Sequence, residues 1–377
     1  MERVLLTDVC NFQYGYAFDS RKFSNEGKVP LVRIRDVVRG YSETYTDEDF
    51  DDNYLVHDGD MLIGMDGEFN IAYWHGGDAA LNQRVCKLVP SDKIDSAYIF
   101  YRMMSVLKQI ESKTPFVTVK HLSAKELNAV YIDLPNISEQ EMQGKKLRYI
   151  DGLIAKNDSK LKIMDILVKS RFIELFGDIK LNSKKWSIVK LEDIADVGSS
   201  KRVFVEELLP TGIPFYRGTE IGALAEGKNV IPDLHITKVH YKELCDASGT
   251  PQYGDLLMPS ICPDGRIWLV DTDEPFYFKD GRVLWVHLTS NEFNNVFVQY
   301  VMKFRMATEY EQIASGTTFK ELKIFTLKLL DVVKPPIDIQ KQFADFVAIT
   351  DKSKLSIQQS IETLQTLKAR LMQDYFG

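Results

Sequence analysis

Asp264 with Glu321-x-Lys323 is the nearest this chain comes to a metal-dependent nuclease site, because it supplies two carboxylates and a lysine. The corresponding place in the first half reads His121-x-Ser123, so that triplet is not carried by both halves of the chain. His235 and His240 are five apart, which does not bring them to one helical face, and no HExxH occurs. There is no P-loop, no GxGxxG after a strand and no GxSxG nucleophile elbow. Lys334-Pro335-Pro336-Ile337 has the paired prolines of an adenine methyltransferase motif but lacks the acidic or amide residue before them and the aromatic after. The acidic run Asp47-Glu48-Asp49-Phe50-Asp51-Asp52 reads as a solvated loop. Cys10, Cys86, Cys245 and Cys262 form no CxxC pair, which argues for reduced cytosolic thiols and against a disulfide framework or zinc site. A chain of 377 residues with no catalytic constellation favours recognition or assembly.

The remaining chemistry is cationic and occurs twice. Arg33 and Arg217, Arg84 and Arg282, and Lys120 and Lys320 stand at corresponding places in the two halves. Alternation over Leu31–Arg35 predicts a strand with Arg33 and Arg35 on one face. Asn82-Gln83-Arg84 offers amide and guanidinium groups, the side chains that read adenine and guanine edges. Ser315-Gly316-Thr317-Thr318-x-Lys320 reads as a flexible polar loop ending in a cation. Formal charge is 47 − 54 = −7, so an interface for an anionic polymer must be a local cationic cleft rather than a global field. The candidate patches are Arg33, Arg35, Arg84 and Lys120 in the first half, and Arg217, Arg266, Arg282 and Lys320 in the second.

These residues are positioned by a duplicated scaffold. At an offset of 200, Thr118, Lys120, Leu122, Leu127, Pro135, Ile137, Gln140, Asp151, Leu167 and Phe176-Gly177 meet identical residues, 11 identities in 60 positions. Ordinary composition gives roughly three or four. Earlier segments match more loosely but in order: Leu6-x-Asp8-Val9 with Leu191-x-Asp193-Ile194, Pro30–Arg33 with Pro214–Arg217, and Gly59-Asp60-Met61-Leu62 with Gly254-Asp255-Leu256-Leu257. A tandem duplication follows, in which a divergent globular part and a better-kept helix occur twice.

Each globular part reads as mixed α and β. Gly59-Asp60 and Gly254-Asp255 are turns before short apolar strands, and Arg282–His287 alternates as a strand does. Ala97–Ile110 has helical spacing, repeated around Val296–Phe304. Each half closes on a long heptad stretch. In the first, Leu147, Ile150, Ile154, Leu161, Met164, Val168 and Leu175 fall on one frame, interrupted by Asn157 and Arg171. In the second, Ile357, Ile361, Leu364, Leu371 and Tyr375 hold that frame, broken by Thr350, Lys354 and Lys368. A helix of about 30 residues is ~45 Å long, more than one small domain covers, so the two are expected to pack on each other as a coiled coil. Lys145–Lys185 carries 11 basic and 5 acidic residues, a local excess of +6. The fold class is thus α+β, a tandem duplication of two mixed α/β domains, separated and followed by long helices. The expected bounds are 1–140 and 187–336 for the globular parts, with helices over 141–186 and 337–377. No apolar run reaches membrane-spanning length, and the start of the chain lacks the apolar core of a signal peptide.

In this order the motifs resemble the specificity subunit of type I restriction–modification systems over nearly the whole chain. The resemblance rests on the opening Leu-x-Asp, the two Gly-Asp turns, Leu81-Asn82-Gln83-Arg84-Val85, Gly316-Thr317-Thr318, Pro335-Pro336-Ile337-x-x-Gln340 and the two Phe-Gly helix ends. The first half departs from it, with Lys113-Thr114-Pro115 where a Gly-Thr loop is usual. The resemblance implies two target-recognition domains, each reading one half of a bipartite double-stranded DNA target. The helices would pack antiparallel, fix the gap and bind two methyltransferase subunits, which restriction and translocase subunits join. It implies a non-catalytic, cytoplasmic chain that binds no cofactor of its own, with S-adenosylmethionine, ATP and Mg in the partner subunits. DNA contacts are expected from Arg33, Arg35, Asn82, Gln83, Arg84, Lys120, Arg217, Arg266, Arg282, Thr317, Thr318 and Lys320. Partner contacts are expected from Phe172, Phe176, Met372, Tyr375 and Phe376. A specificity subunit of a related methyltransferase–nuclease system outside type I, and a self-sufficient DNA-modifying enzyme, are the alternatives.

Overall fold

The structure is a computed structural model, and it describes residues 2–114, 120–316 and 320–377. The chain divides into two compact units: Met1–Lys160 with Ser356–Gly377, and Leu161–Leu355. Both long helices, Ile137–Phe176 and Ile337–Phe376, are therefore shared between the units.

Each unit is built on the same antiparallel four-stranded sheet. In unit 1 the order is Cys10–Tyr14, Val85–Pro90, Met61–Gly64, Asn70–Tyr73; in unit 2 it is Ala195–Gly198, Val283–Leu288, Leu256–Pro259, Trp268–Leu269. A two-stranded ribbon accompanies each sheet, Glu2–Leu5 with Tyr131–Leu134 and Ser187–Lys190 with Asp331–Lys334. The inserts differ. Unit 1 carries short strands between Phe23 and Leu81, whereas unit 2 has Ile213–Tyr216 between His235–Ile236 and Tyr277–Phe278, plus the helix Lys238–Ser248. The sheet and helix frame is what the repeat preserves, and the divergent sequence lies in the inserts.

Several repeated residues prove to be fasteners of that frame. Asp95 starts the helix Ser96–Lys113 by accepting from the Tyr98 amide at 2.8 Å, and Asn294 starts Asn295–Ile313 by accepting from the Phe297 amide at 3.2 Å. Buried Gln140 accepts from the Asp95 amide and donates to the Pro135 carbonyl, at 2.9 and 2.8 Å. Gln340 repeats this with Asn294 and Pro335, at the same distances. The Pro-x-x-x-x-Gln spacing thus locks the start of each long helix to the start of the mid-domain helix.

Within each unit the long helices run antiparallel. Lys368 pairs with Asp151 at 2.6 Å and the Asn157 amide donates to Ser360 at 3.3 Å in unit 1; Lys354 pairs with Asp165 at 2.6 Å in unit 2. Three of the polar residues that break the heptad frame, Asn157, Lys354 and Lys368, therefore meet polar partners on the other helix, whereas Arg171 and Thr350 bond within their own; Leu147, Ile150, Val168 and Ile361 are buried. The expected span 141–186 is corrected at both ends. The first long helix begins at Ile137 and stops at Phe176, because Gly177 takes φ +76° and returns its amide to the Ile173 carbonyl at 2.8 Å. Residues 177–186 are not helical.

A second correction concerns Leu31–Arg35. The strand is Val29–Val32, and a helix, Ile34–Arg39, begins directly after Arg33. Asp36 accepts from the Arg33 amide at 3.0 Å, which nucleates helix where alternation alone suggested more strand. Arg33 and Arg35 consequently do not share a strand face.

Candidate nucleic-acid interface

The same main-chain frame presents Arg84 in unit 1 and Arg282 in unit 2. The Met65 amide donates to the Arg84 carbonyl at 3.1 Å and the Leu122 amide to the Met65 carbonyl at 2.7 Å. In unit 2 the Ser260 amide donates to the Arg282 carbonyl at 2.9 Å and the Leu322 amide to Ser260 at 2.8 Å. Both arginine side chains are more than half exposed, at 51% and 61%.

Each guanidinium has one carboxylate beside it, from a different place in the chain. Arg84 Nε lies 3.5 Å from Asp66, whose other oxygen meets His121 Nδ1 at 2.5 Å. Arg282 pairs with Glu321, which also accepts from Lys323 at 3.1 Å. The Lys323 ammonium, seconded by the Arg282 charge, holds the Glu321 carboxyl below its ordinary range. An exposed guanidinium steadied by one carboxylate keeps donors for a base edge or a phosphate. Comparison of the repeats missed the carboxylates because position 121 is histidine and position 321 is glutamate.

Main-chain contacts link some of the other expected residues to these arginines. The Asn82 amide donates to the Val32 carbonyl at 3.4 Å, so Asn82-Gln83-Arg84 borders the start of the Arg33 helix. Asn82 is nearly buried, whereas Gln83 is exposed. Arg33 lies over the Phe23 ring at 5.7 Å, and Arg35 donates to the Thr44 hydroxyl at 3.1 Å. In unit 2 the helix Gly218–Ala225 is the organising element. Arg217 precedes it and pairs with Glu220 and Asp233; Arg266 lies against Gly222, and the Arg282 carbonyl lies near Gly218. Burial pushes the Glu220 carboxyl up, but hydrogen bonds from Arg217, Thr219 and the main chain outweigh it and hold it at about 2.

Lys120 and Lys320 are placed differently from expectation. Each ammonium donates to the last turn of the mid-domain helix, at the Glu111 carbonyl (2.8 Å) and the Glu311 carbonyl (2.7 Å). A cation at a helix C-terminus satisfies carbonyls that have no partner within the helix, which gives this repeated lysine a structural task. Thr317 and Thr318 lie outside the described residues. The nuclease triplet does not assemble either: Asp264 is paired to Arg266 at 2.7 Å and Glu321 to Arg282 and Lys323. Among the described residues no cluster of three His, Cys, Asp or Glu side chains is placed to hold a metal, and no helix is long and apolar enough to cross a membrane.

The expected partner contacts need a correction. Phe172 and Phe176 are buried in unit 2 among Phe297, Phe304 and Phe343, with ring centroids 4.5–5.6 Å apart in four of these pairs. Phe376 is buried in unit 1 against Tyr98, and its carbonyl accepts from Arg102 at 2.9 Å. Met372 and Tyr375 pack, partly buried, on that core. Aromatic side chains of this size at a helix end lose most by staying in water, so the domains' own cores take them.

A family model described as the type I restriction modification DNA specificity domain matches residues 1–163 and again 183–367. The specificity subunit of the type I restriction enzyme EcoBI from Escherichia coli is 40% identical over 159 residues, which is 42% of this chain and 33% of that relative. The chain thus spans a third of that relative's length. The specificity subunit of the type I restriction enzyme MjaVIII from Methanocaldococcus jannaschii is 22% identical over 92% of this chain and 88% of its own. The fold is similar to that of the S subunit of a type I restriction–modification system from M. genitalium, with TM-score 0.60 and 16% identity over 98% of this chain and 94% of that one. The family's description names DNA specificity and no catalytic activity. With both halves matched in sequence, and the same sheet and helix frame in both units, this chain belongs to the type I restriction–modification DNA specificity family.

Proposed function

We propose that each unit reads one half of a bipartite double-stranded DNA target, and that the chain docks two methyltransferase subunits without catalysing a reaction itself. The observation that carries the reading is the pair Arg84 and Arg282: exposed, steadied by one carboxylate each, and held by equivalent main-chain frames in two otherwise divergent units. Divergent inserts on a common frame are what two different half-sites require. Phosphate contacts position such a reader and base contacts specify. S-adenosylmethionine, ATP and Mg belong in this reading to the methyltransferase and restriction partners.

Docking of two equal partners is supported by apolar residues that recur, exposed, on the long helices. Tyr149 and Leu367 belong to unit 1, and their counterparts at the 200-residue offset, Ile349 and Leu167, to unit 2; all four are 44–69% exposed. Tyr149 and Leu367 both lie beside the Asp151–Lys368 pair, hence at one level of the helix pair. Ile163, Ile166 and Ile173 extend the exposed face in unit 2. The test is methylation by the assembled complex on duplexes with one half-site scrambled at a time. Methyl transfer by this chain alone, with S-adenosylmethionine and DNA but no partner, would overturn the reading.

A further inference from the structure

Unit 2 has a cavity of about 660 Å³ on the face of its four-stranded sheet opposite the core that Val197 and Val286 join, and Trp285 on this face also packs, partly buried, against the cluster of Leu257 and Phe278. Its floor is the cross-strand pair Gly198 and Trp285. Trp285 is held in place: its indole N–H donates to Asp255 at 2.7 Å, and its far edge lies beneath Gly249, where a Cβ would sit 3.4 Å from the ring. Asp255 is buried, and its other oxygen meets His287 Nδ1 at 2.7 Å, so one carboxylate orients both rings.

The other unit shows what an unremarkable version of this place looks like. There the Gly-Asp turn carboxylate, Asp60, pairs with Lys87 at 2.6 Å, and the residue opposite Lys87 is Gln13. Unit 2 thus replaces Lys87 by Trp285 and Gln13 by Gly198. Gly198 has no positive φ, and a Cβ built on it meets nothing within 4 Å, so neither backbone nor packing calls for glycine. Gly198 is the last residue of its strand, and a glycine there leaves space for a ligand or another backbone to come close. Removing the side chain there leaves room over the neighbouring Trp285.

The rim is acidic. Asp196 and Glu192 are exposed lining residues, Asp196 directly opposite His287, and Lys328 is the one lysine or arginine among the lining residues. Carboxylates beside an aromatic face repel phosphate and attract a cation, and a guanidinium both stacks on tryptophan and pairs with carboxylates. We infer that this cavity receives an arginine side chain of a partner protein, seated over Trp285 and Gly198 and paired with Asp196 and Glu192. The site is separate from the DNA reading, since its charge disfavours a nucleic acid, and it gives unit 2 a contact that unit 1 lacks.

The test uses the full chain labelled with 5-fluorotryptophan, with the Trp285 resonance assigned by Trp285→Phe. N-acetyl-arginine amide should move that resonance saturably. N-acetyl-citrulline amide, of the same shape without the charge, should bind at least about five-fold more weakly, as should the arginine probe to Gly198→Gln and to the double variant Asp196→Asn, Glu192→Gln. Equal shifts with both probes, or no saturable shift, would overturn the inference. A mixed-sequence DNA duplex that moves Trp285 while the arginine probe does not would also overturn it, assigning the cavity to the DNA interface. Half-site readout through Arg84 and Arg282 is a separate measurement, so either proposal can fail alone.

Discussion

Arg84 and Arg282 leave equivalent frames, yet their carboxylate partners come from Asp66 in one unit and Glu321 in the other. Each arginine is thus pre-oriented by its own unit, so its loss should be felt only at that unit's half-site. Arg84→Ala or Arg282→Ala should cost about 1–3 kcal/mol of binding and relax specificity at a single half-site. Binding series on duplexes with one half scrambled check this; equal losses on both duplexes would mean the arginines are structural. Around Glu220 the residue scale sets acid sensitivity. Its folded pKa, held at about 2, lies below the ordinary carboxylate value, so it contributes stability above pH ~4.5 that is lost as pH falls toward 2. Glu220→Gln should destabilise unit 2 at pH 7 by about 1–2 kcal/mol, discounted because Arg217 is 45% exposed, and the deficit should vanish near pH 2. Urea unfolding at the two pH values reads the difference.

At the scale of elements, the long helices have two faces with different tasks. The inner seam and the helix ends belong to the cores: Phe176 closes unit 2 and Phe376 closes unit 1. Phe176→Ala and Phe376→Ala should each cost about 3–5 kcal/mol, and hydrogen exchange should locate the loss in unit 2 for the first and unit 1 for the second. The outer face carries exposed apolar residues that the fold does not use. Leu167→Glu with Ile349→Glu should leave the melting temperature nearly unchanged, yet weaken methyltransferase docking on unit 2 by more than about ten-fold, since each large aliphatic withheld from an interface forfeits about 1.5–3 kcal/mol. Calorimetric titration of the variant with the partner measures it; unaltered affinity would move docking off this face.

For the whole molecule, the proposed stoichiometry rests on the duplication. Tyr149 with Leu367 and Leu167 with Ile349 are the same pair of positions presented once per unit. One chain should therefore saturate with two methyltransferase subunits, and native mass spectrometry of the complex should give one-to-two. A one-to-one complex at saturating partner would contradict equivalent docking. The net charge of −7 adds a further expectation: DNA affinity depends on a few local cations, so the salt slope should be shallow and fall by about one for each phosphate contact removed.

The heptad frame, the Gly-Asp turns, the mid-domain helices and the duplication itself were legible in the linear chain, because each depends on local spacing or on residues that recur at a fixed offset. Pro135 with Gln140 and Pro335 with Gln340 were visible as repeats before the structure gave the reason: each glutamine accepts from the Asp95 or Asn294 amide and donates to its proline carbonyl. What the chain alone does not disclose is which way each side chain is claimed. Alternation over Leu31–Arg35 reads as strand until Asp36 caps the Arg33 amide. Lys120 and Lys320 read only as DNA contacts, and nothing in their spacing shows that each ammonium also donates to the end of the mid-domain helix. Phe172, Phe176 and Phe376 read as partner contacts until three-dimensional packing buries them. Periodicity and repetition show which positions recur, not which group claims a side chain: Asp36 is three residues from Arg33 and Glu111 nine from Lys120, while the rings around Phe172 come from distant segments such as Phe304. Only tertiary structure settles those claims, and it alone decided which cations stay exposed.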